Sequence, residues 1–167
     1  TGYEMRRLKQ HWIGLGERPK SNPLKLTASE RAYLQEHPRF KVSNENDWPP
    51  FDFVENGQPA GYSIDLMNLV AKRLGVQFEY VNGLSWSELL DAFQAKEIDI
   101  MSAINYTESR TSYARFTRPY FQNILGIFAK EEQAISELAD LSGKRLALPE
   151  GYAVLEPILQ EVPGITH

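Results

Sequence analysis

Thr107-Glu108-Ser109-Arg110, with Phe116-Thr117-Arg118-Pro119-Tyr120 close behind it, is the stretch of this chain best equipped to hold an anion. Threonine is a good N-cap, so the tetrad predicts a helix start at Thr107. The open N–H groups and dipole of such a start favour negative charge, and the nearby arginine presents two parallel donors that match a carboxylate. A small carboxylate is the simplest guest. The competing reading is that Arg110 pairs with Glu108 or another surface acid, an arrangement that contributes little. Two tryptophans stand at loop or helix-start positions. Trp48 lies between Asp47 and Pro49-Pro50, where a large aromatic either packs locally or is exposed for contact. Trp86 either faces a ligand or staples its helix to the core. Glu45 and Asp47 read as turn or solvation groups, because nothing sets a general acid and base across a substrate. His11, His37 and His167 lack metal-ligand spacing, and Asn105-Tyr106-Thr107 is a glycosylation sequon only in form. No catalytic residue, metal or cofactor is expected.

These groups must be positioned by the elements around them. Tyr3 to Ile13 reads as a short amphipathic helix, followed by a polar, proline-punctuated linker through Pro23. Thr27-Ala28-Ser29-Glu30 has capping-box spacing and opens a helix to about Glu36, ended by His37-Pro38. Arg39 to Ser43 predicts a strand, Phe51 to Val54 another, and Asn56-Gly57 a turn. Ser63 is expected to cap a helix to Leu74 with Gly75 as its stop, before a strand over Val76 to Val81. Ser85-Trp86-Ser87-Glu88 repeats the capping box and leads through Phe93 to a strand over Ile98 to Ile104. Strand, helix, strand, helix, strand implies parallel pairing, and in such sheets ligands bind beyond the carboxyl ends of the strands. The loops after Ser43 and Ile104 are therefore the candidates. Further on, Tyr120 to Lys130 predicts a long strand, Ile135 to Leu141 a helix, Lys144 to Leu148 a strand, and Tyr152 to Glu161 a helix carrying Pro157.

Composition narrows the class. The 167 residues, 42% hydrophobic and 24% charged, can bury a real core. A net charge of -4 argues against a nucleic-acid surface. The lack of cysteine excludes disulfides, zinc-thiolate sites and thiol catalysis. No stretch approaches the roughly eighteen apolar residues of a membrane helix.

Asp47-Trp48-Pro49-Pro50-Phe51, Gly61-Tyr62-Ser63-Ile64-Asp65-Leu66, Leu74-Gly75, Asp99-Ile100, Thr107-Glu108-Ser109-Arg110, Arg118-Pro119-Tyr120 and Ala139-Asp140-Leu141-Ser142-Gly143-Lys144, in that order, resemble the family-3 extracellular solute-binding proteins. The resemblance runs from about Phe40 to Leu155. It implies a periplasmic-binding-protein-like (type II) α/β lobe, a mostly parallel sheet flanked by helices, plus the beginning of a second α/β lobe. The segment before it, through Leu26-Thr27-Ala28-Ser29-Glu30, resembles the junction between tandem flytrap domains of virulence-type sensor kinases. The expected organisation is therefore 1–26 as helix and linker from a preceding domain, 27–120 as the first lobe, and 121–167 as hinge crossover and incomplete second lobe.

The resemblance also implies roles. Arg110 clamps a ligand carboxylate, helped by main-chain N–H groups around Ala103, Asn105 and Thr107. Trp48 and Trp86 form aromatic walls, and Glu45 stands where the family often has aspartate, with Asp47 close by. The implied protein is a non-enzymatic periplasmic sensor domain of a transmembrane receptor. It binds an amino acid or other small carboxylate by hinge closure and touches the membrane only through the rest of the receptor. The alternatives are a soluble component of an amino-acid uptake transporter and an enzyme or regulatory domain such as a dehydratase or lytic transglycosylase. An open sheet edge in a truncated lobe predicts homo-oligomer formation or strand exchange.

Overall fold

The computed structural model describes Leu8 and residues 24–123, 126–130 and 132–166. The helix expected over Tyr3 to Ile13 and the linker after it lie outside these, apart from Leu8. The chain divides into two compact units that part between Ile104 and Asn105.

In the first unit, α1 (Ala28–Glu36) begins at the expected capping box. The Glu30 N–H donates to Thr27 Oγ1 at 3.2 Å, and the Thr27 N–H donates to Glu30 Oε2 at 2.7 Å. Then β1 (Arg39–Ser43) pairs in parallel with β5 (Gln77–Val81), in a register running from Arg39 opposite Gln77 to Ser43 opposite Val81. Between them β2 (Asp47–Trp48), β3 (Asp52–Glu55) and β4 (Gln58–Ala60) form a small antiparallel sheet, with Asn56-Gly57 as the β3–β4 turn.

Helix α2 (Tyr62–Leu74) ends as expected at Gly75, whose φ of 71° is a left-handed stop. Its start corrects the sequence reading. The N-cap is Gly61, not Ser63, and no side chain caps it. The first N–H groups of the helix are instead met by carbonyls of the preceding loop, Tyr62 to Pro50 at 2.9 Å and Ser63 to Phe51 at 2.8 Å. Helix α3 (Trp86–Gln94) opens on the second capping box, Ser85 with Glu88. Val42, Tyr62, Ile64, Leu66, Val76, Leu89, Leu90 and Ile98 are the buried apolar side chains that hold these elements together.

The strand expected over Ile98 to Ile104 is reduced to a single parallel bridge, Ile100 to Val42. Side chains take the places that a ladder would fill. The Asp99 carboxylate accepts from the Lys41 N–H at 2.8 Å, and Ser43 Oγ accepts from the Ser102 N–H at 2.9 Å, on either side of the backbone bonds Ile100 N–H to Lys41 O at 3.1 Å and Ser43 N–H to Ile100 O at 2.9 Å.

The second unit departs further from its expected elements. No described residue of Tyr120 to Lys130 lies in a strand, and Phe128 is fully exposed. Pairing partners make a strand, and β-propensity alone does not. The helix over Ile135 to Leu141 is a 3₁₀ turn, Leu138–Leu141. The strand over Lys144 to Leu148 is one bridge, Arg145 to Thr166. The last helix, α4 (Leu155–Glu161), begins three residues later than expected, which puts Pro157 in its first turn, where a missing N–H costs nothing. Among the described residues, no helix is long and apolar enough to cross a membrane.

Candidate functional site

Three loops of the first unit meet at the carboxyl ends of its parallel strands: 44–46 after β1, 82–85 after β5, and 101–104 after the Ile100 bridge. Asn44 N–H donates to Val81 O at 3.0 Å, and Asn46 joins the first two loops by donating to Leu84 O at 3.0 Å and accepting from Gly83 N–H at 3.1 Å. This brings Glu45, Asp47 and Trp48 to the same end of the sheet as the start of α3, where Trp86 sits half-buried. Trp48 packs on Phe51 with ring centroids 5.4 Å apart, and Phe51 leans on the buried Tyr62 ring. Asp47 is exposed, and Ala103 is buried at the end of the third loop.

A buried polar network underlies these loops. Asp52, 1% exposed at the start of β3, accepts at Oδ1 from Asn44 Nδ2 at 2.6 Å and from the Glu45 N–H at 3.1 Å. Its Oδ2 accepts from Ser102 Oγ, and the Ser102 and Ser43 hydroxyls lie 3.2 Å apart. Burial pushes the Asp52 carboxyl above the ordinary carboxylate range, against the pull of these donors. Glu45 is pushed up to about 7, by burial first and then by the negative charge of Asp52. Glu45 is thus a group that changes charge near neutrality at the mouth of three loops.

Asp52, Ser43, Asn44 and Ser102 were not among the residues expected to matter. The sequence pattern points the other way: an acid between Phe51 and Phe53 alternates to the face opposite the two aromatics and reads as outward, whereas in the structure Asp52 is the buried residue of β3.

The second unit holds Asn105, Thr107 and Arg110. The helix expected at Thr107 is a four-residue 3₁₀ turn, Ser109–Ser112, so no helix dipole of any length stands behind an anion there. Thr107 still caps locally, its Oγ1 accepting from the Arg110 N–H at 3.3 Å. Arg110 itself is 5% exposed. One terminal nitrogen donates to Asn105 O at 2.6 Å, the other to Gly151 O at 2.7 Å. The guanidinium has the forked, buried geometry that suits a carboxylate, and both arms of the fork meet carbonyl oxygens. Among the described residues, no group of three or more acidic or histidine side chains is set to hold a metal.

Comparison with known proteins bears on what such a site is for. The family model for bacterial extracellular solute-binding proteins, family 3, matches residues 40–161. The virulence sensor protein BvgS of Bordetella pertussis is 30% identical over 136 residues, 80% of this chain and 11% of that protein. The ABC transporter arginine-binding protein 1 of Escherichia coli is 27% identical over 120 residues, 71% of this chain and 49% of that protein. Among solved structures, the periplasmic domain of B. pertussis BvgS superposes with a TM-score of 0.76 at 25% identity, covering 87% of this chain and 29% of that one. The chain thus spans about a tenth of the sensor and about half of the transport protein. The expected fold class, a type II periplasmic-binding-protein-like α/β lobe, is the fold of this neighbour.

Proposed function

Because the chain belongs to the bacterial extracellular solute-binding proteins, family 3, we propose that it is a periplasmic ligand-sensing domain of a transmembrane signalling receptor. Its ligand is an amino acid or another small carboxylate. The observation that carries this reading is the convergence of three loops at the carboxyl ends of the β1 and β5 strands, where α/β sheets bind ligands. The likeness to a sensor protein over four-fifths of the chain favours signalling. The relatives compared are sensors and binding proteins, which favours binding without turnover.

In the proposed mechanism the Arg110 fork exchanges the Asn105 and Gly151 carbonyls for the ligand carboxylate, Trp48 and Trp86 flank the ligand, and main-chain N–H groups at Ala103, Asn105 and Thr107 complete the cradle. A ligand that prefers a closed hinge over an open one shifts the receptor by the difference in its two affinities. The organisation proposed with it is a first lobe over 27–120, a crossover and second-lobe segment over 121–167, and a preceding segment over 1–26.

Isothermal calorimetry with the twenty amino acids tests the assignment in the full chain. Arg110→Ala is expected to weaken the best ligand by about 2 kcal/mol or more, roughly thirtyfold, the loss of a charge-assisted pair. Arg110→Lys keeps the charge without the fork and is expected to fall between. Unchanged affinity in a folded Arg110→Ala protein removes Arg110 from the site. A second reading, a soluble component of an uptake transporter, draws on the 27% likeness to the arginine-binding protein. Ligand-dependent stimulation of a permease, in place of a kinase, would favour it.

A further inference from the structure

We infer that Asp52 is a positioning residue of the ligand site: its two carboxylate oxygens clamp the Glu45 backbone and the Ser102 side chain, holding two ligand-facing loops in one geometry. The inference rests on the proposed function, in which the three loops at Glu45, Trp86 and Ala103 line the ligand site.

The geometry carries it. Asp52 is fully enclosed, yet no cation among the described residues pairs with it. An enclosed carboxylate without a counter-charge is costly, and it persists where several fixed donors need one acceptor. Three donors converge here from separate parts of the chain. Asn44 Nδ2 and Glu45 N–H come from the loop after β1 and share Oδ1, while Ser102 Oγ, fifty residues beyond Asp52, takes Oδ2. Asn44 also donates to Glu45 O at 3.1 Å and Phe53 O at 3.2 Å, so the peptide planes on both sides of Glu45 are tied. Ser102 is held a second time through its N–H on Ser43 Oγ. One carboxylate thus couples the Glu45 loop to the Ser102 loop.

Asp52 reaches Glu45 in two ways: its charge disfavours ionisation of the Glu45 side chain, and its Oδ1 holds the Glu45 N–H, the second being what a clamp transmits from Ser102. The titratable groups that feel Asp52 are Glu45 and, on β5, Tyr80, whose hydroxyl is pushed up by burial and then by Asp52 and Asp65.

Carbon-13 carboxyl NMR of Glu45, recorded against pH in the ligand-free full chain, tests this with Asp52→Asn, Ser102→Ala and Ser102→Thr. In Asp52→Asn the Glu45 midpoint is expected to fall by about 1 pH unit. In Ser102→Ala the Glu45 amide resonance is expected to move, through Asp52, and Ser102→Thr is expected to restore it. If Asp52→Asn does not fold, the two Ser102 variants decide alone. A folded Asp52→Asn protein with an unshifted Glu45 midpoint overturns the inference, and so does a Glu45 amide indifferent to Ser102→Ala. These readouts need no ligand. Calorimetry showing that no amino acid binds the unaltered protein would therefore count against the proposed function, while the titration still decides the role of Asp52.

Discussion

Ionising Glu45 creates charge where the fold disfavours it. Its midpoint is pushed up to about 7 in the folded state, against an ordinary 4.5. Between those values the folded protein holds a proton that the unfolded chain has released, so stability is greatest below the window and falls as pH rises through it. Asp52, raised in the same sense, adds to the slope. Glu45 is half-buried, so solvent screening limits its share to on the order of 1–2 kcal/mol. Urea unfolding at about pH 5 and about pH 7.5 should show the decline, and Glu45→Gln should flatten it. Equal slopes in the two proteins would mean that Glu45 titrates as an ordinary surface acid. Exposed Glu30 and Glu88 are pulled below the ordinary range by their capping partners, so they act only at lower pH.

At the scale of an element, Gly61 is the residue that α2 depends on for its entry. Its φ of 115° is strained for any side chain, and a Cβ there would lie 2.4 Å from Phe51 O, a backbone atom that cannot swing aside. That close approach is also what lets Pro50 O and Phe51 O satisfy the first N–H groups of the helix. Gly61→Ala is expected to cost about 3 kcal/mol or more, read as a drop in urea midpoint at unchanged slope. A loss under about 1 kcal/mol would mean that the loop relaxes freely. The helix was readable from Ile64, Met67, Val70, Ala71 and Leu74, but its start was not, because the groups that cap it are carbonyls of a loop ten or more residues back. The same limit explains Ile98 to Ile104, whose apolar run predicts a strand while Asp99 and Ser43 divert the ladder with their side chains.

Across the whole molecule, burial is unevenly divided. The buried apolar residues of the first unit come from β1, α2, Val76 just before β5, α3 and the Ile98–Ala103 segment, whereas the described residues of the second unit contribute Leu141 and Val162. Local stability follows buried apolar contact, so hydrogen exchange should be faster in residues 105–166 than in β1, α2 and α3, by about tenfold or more. Mass-spectrometric exchange on the full chain checks this, and uniform protection across the units would contradict it. The proposed sensor role fits such a division, since segments that move on binding are drawn from the less stable end of a fold.

The sequence alone determined whatever acts within one helical turn: the boxes Thr27–Glu30 and Ser85–Glu88, the stop at Gly75, the turn at Asn56-Gly57, and the ordered motifs that carry the family. These are local hydrogen bonds and backbone preferences, and neighbours in the chain suffice to specify them. Tertiary structure alone decided where the polar groups discharge their bonds. Asp52 meets Ser102 across 50 positions, Lys41 meets Asp99 across 58, and Arg110 meets Gly151 across 41. A buried donor or acceptor must be satisfied by whatever the fold brings within 3 Å or so, and that neighbour has no fixed separation in sequence.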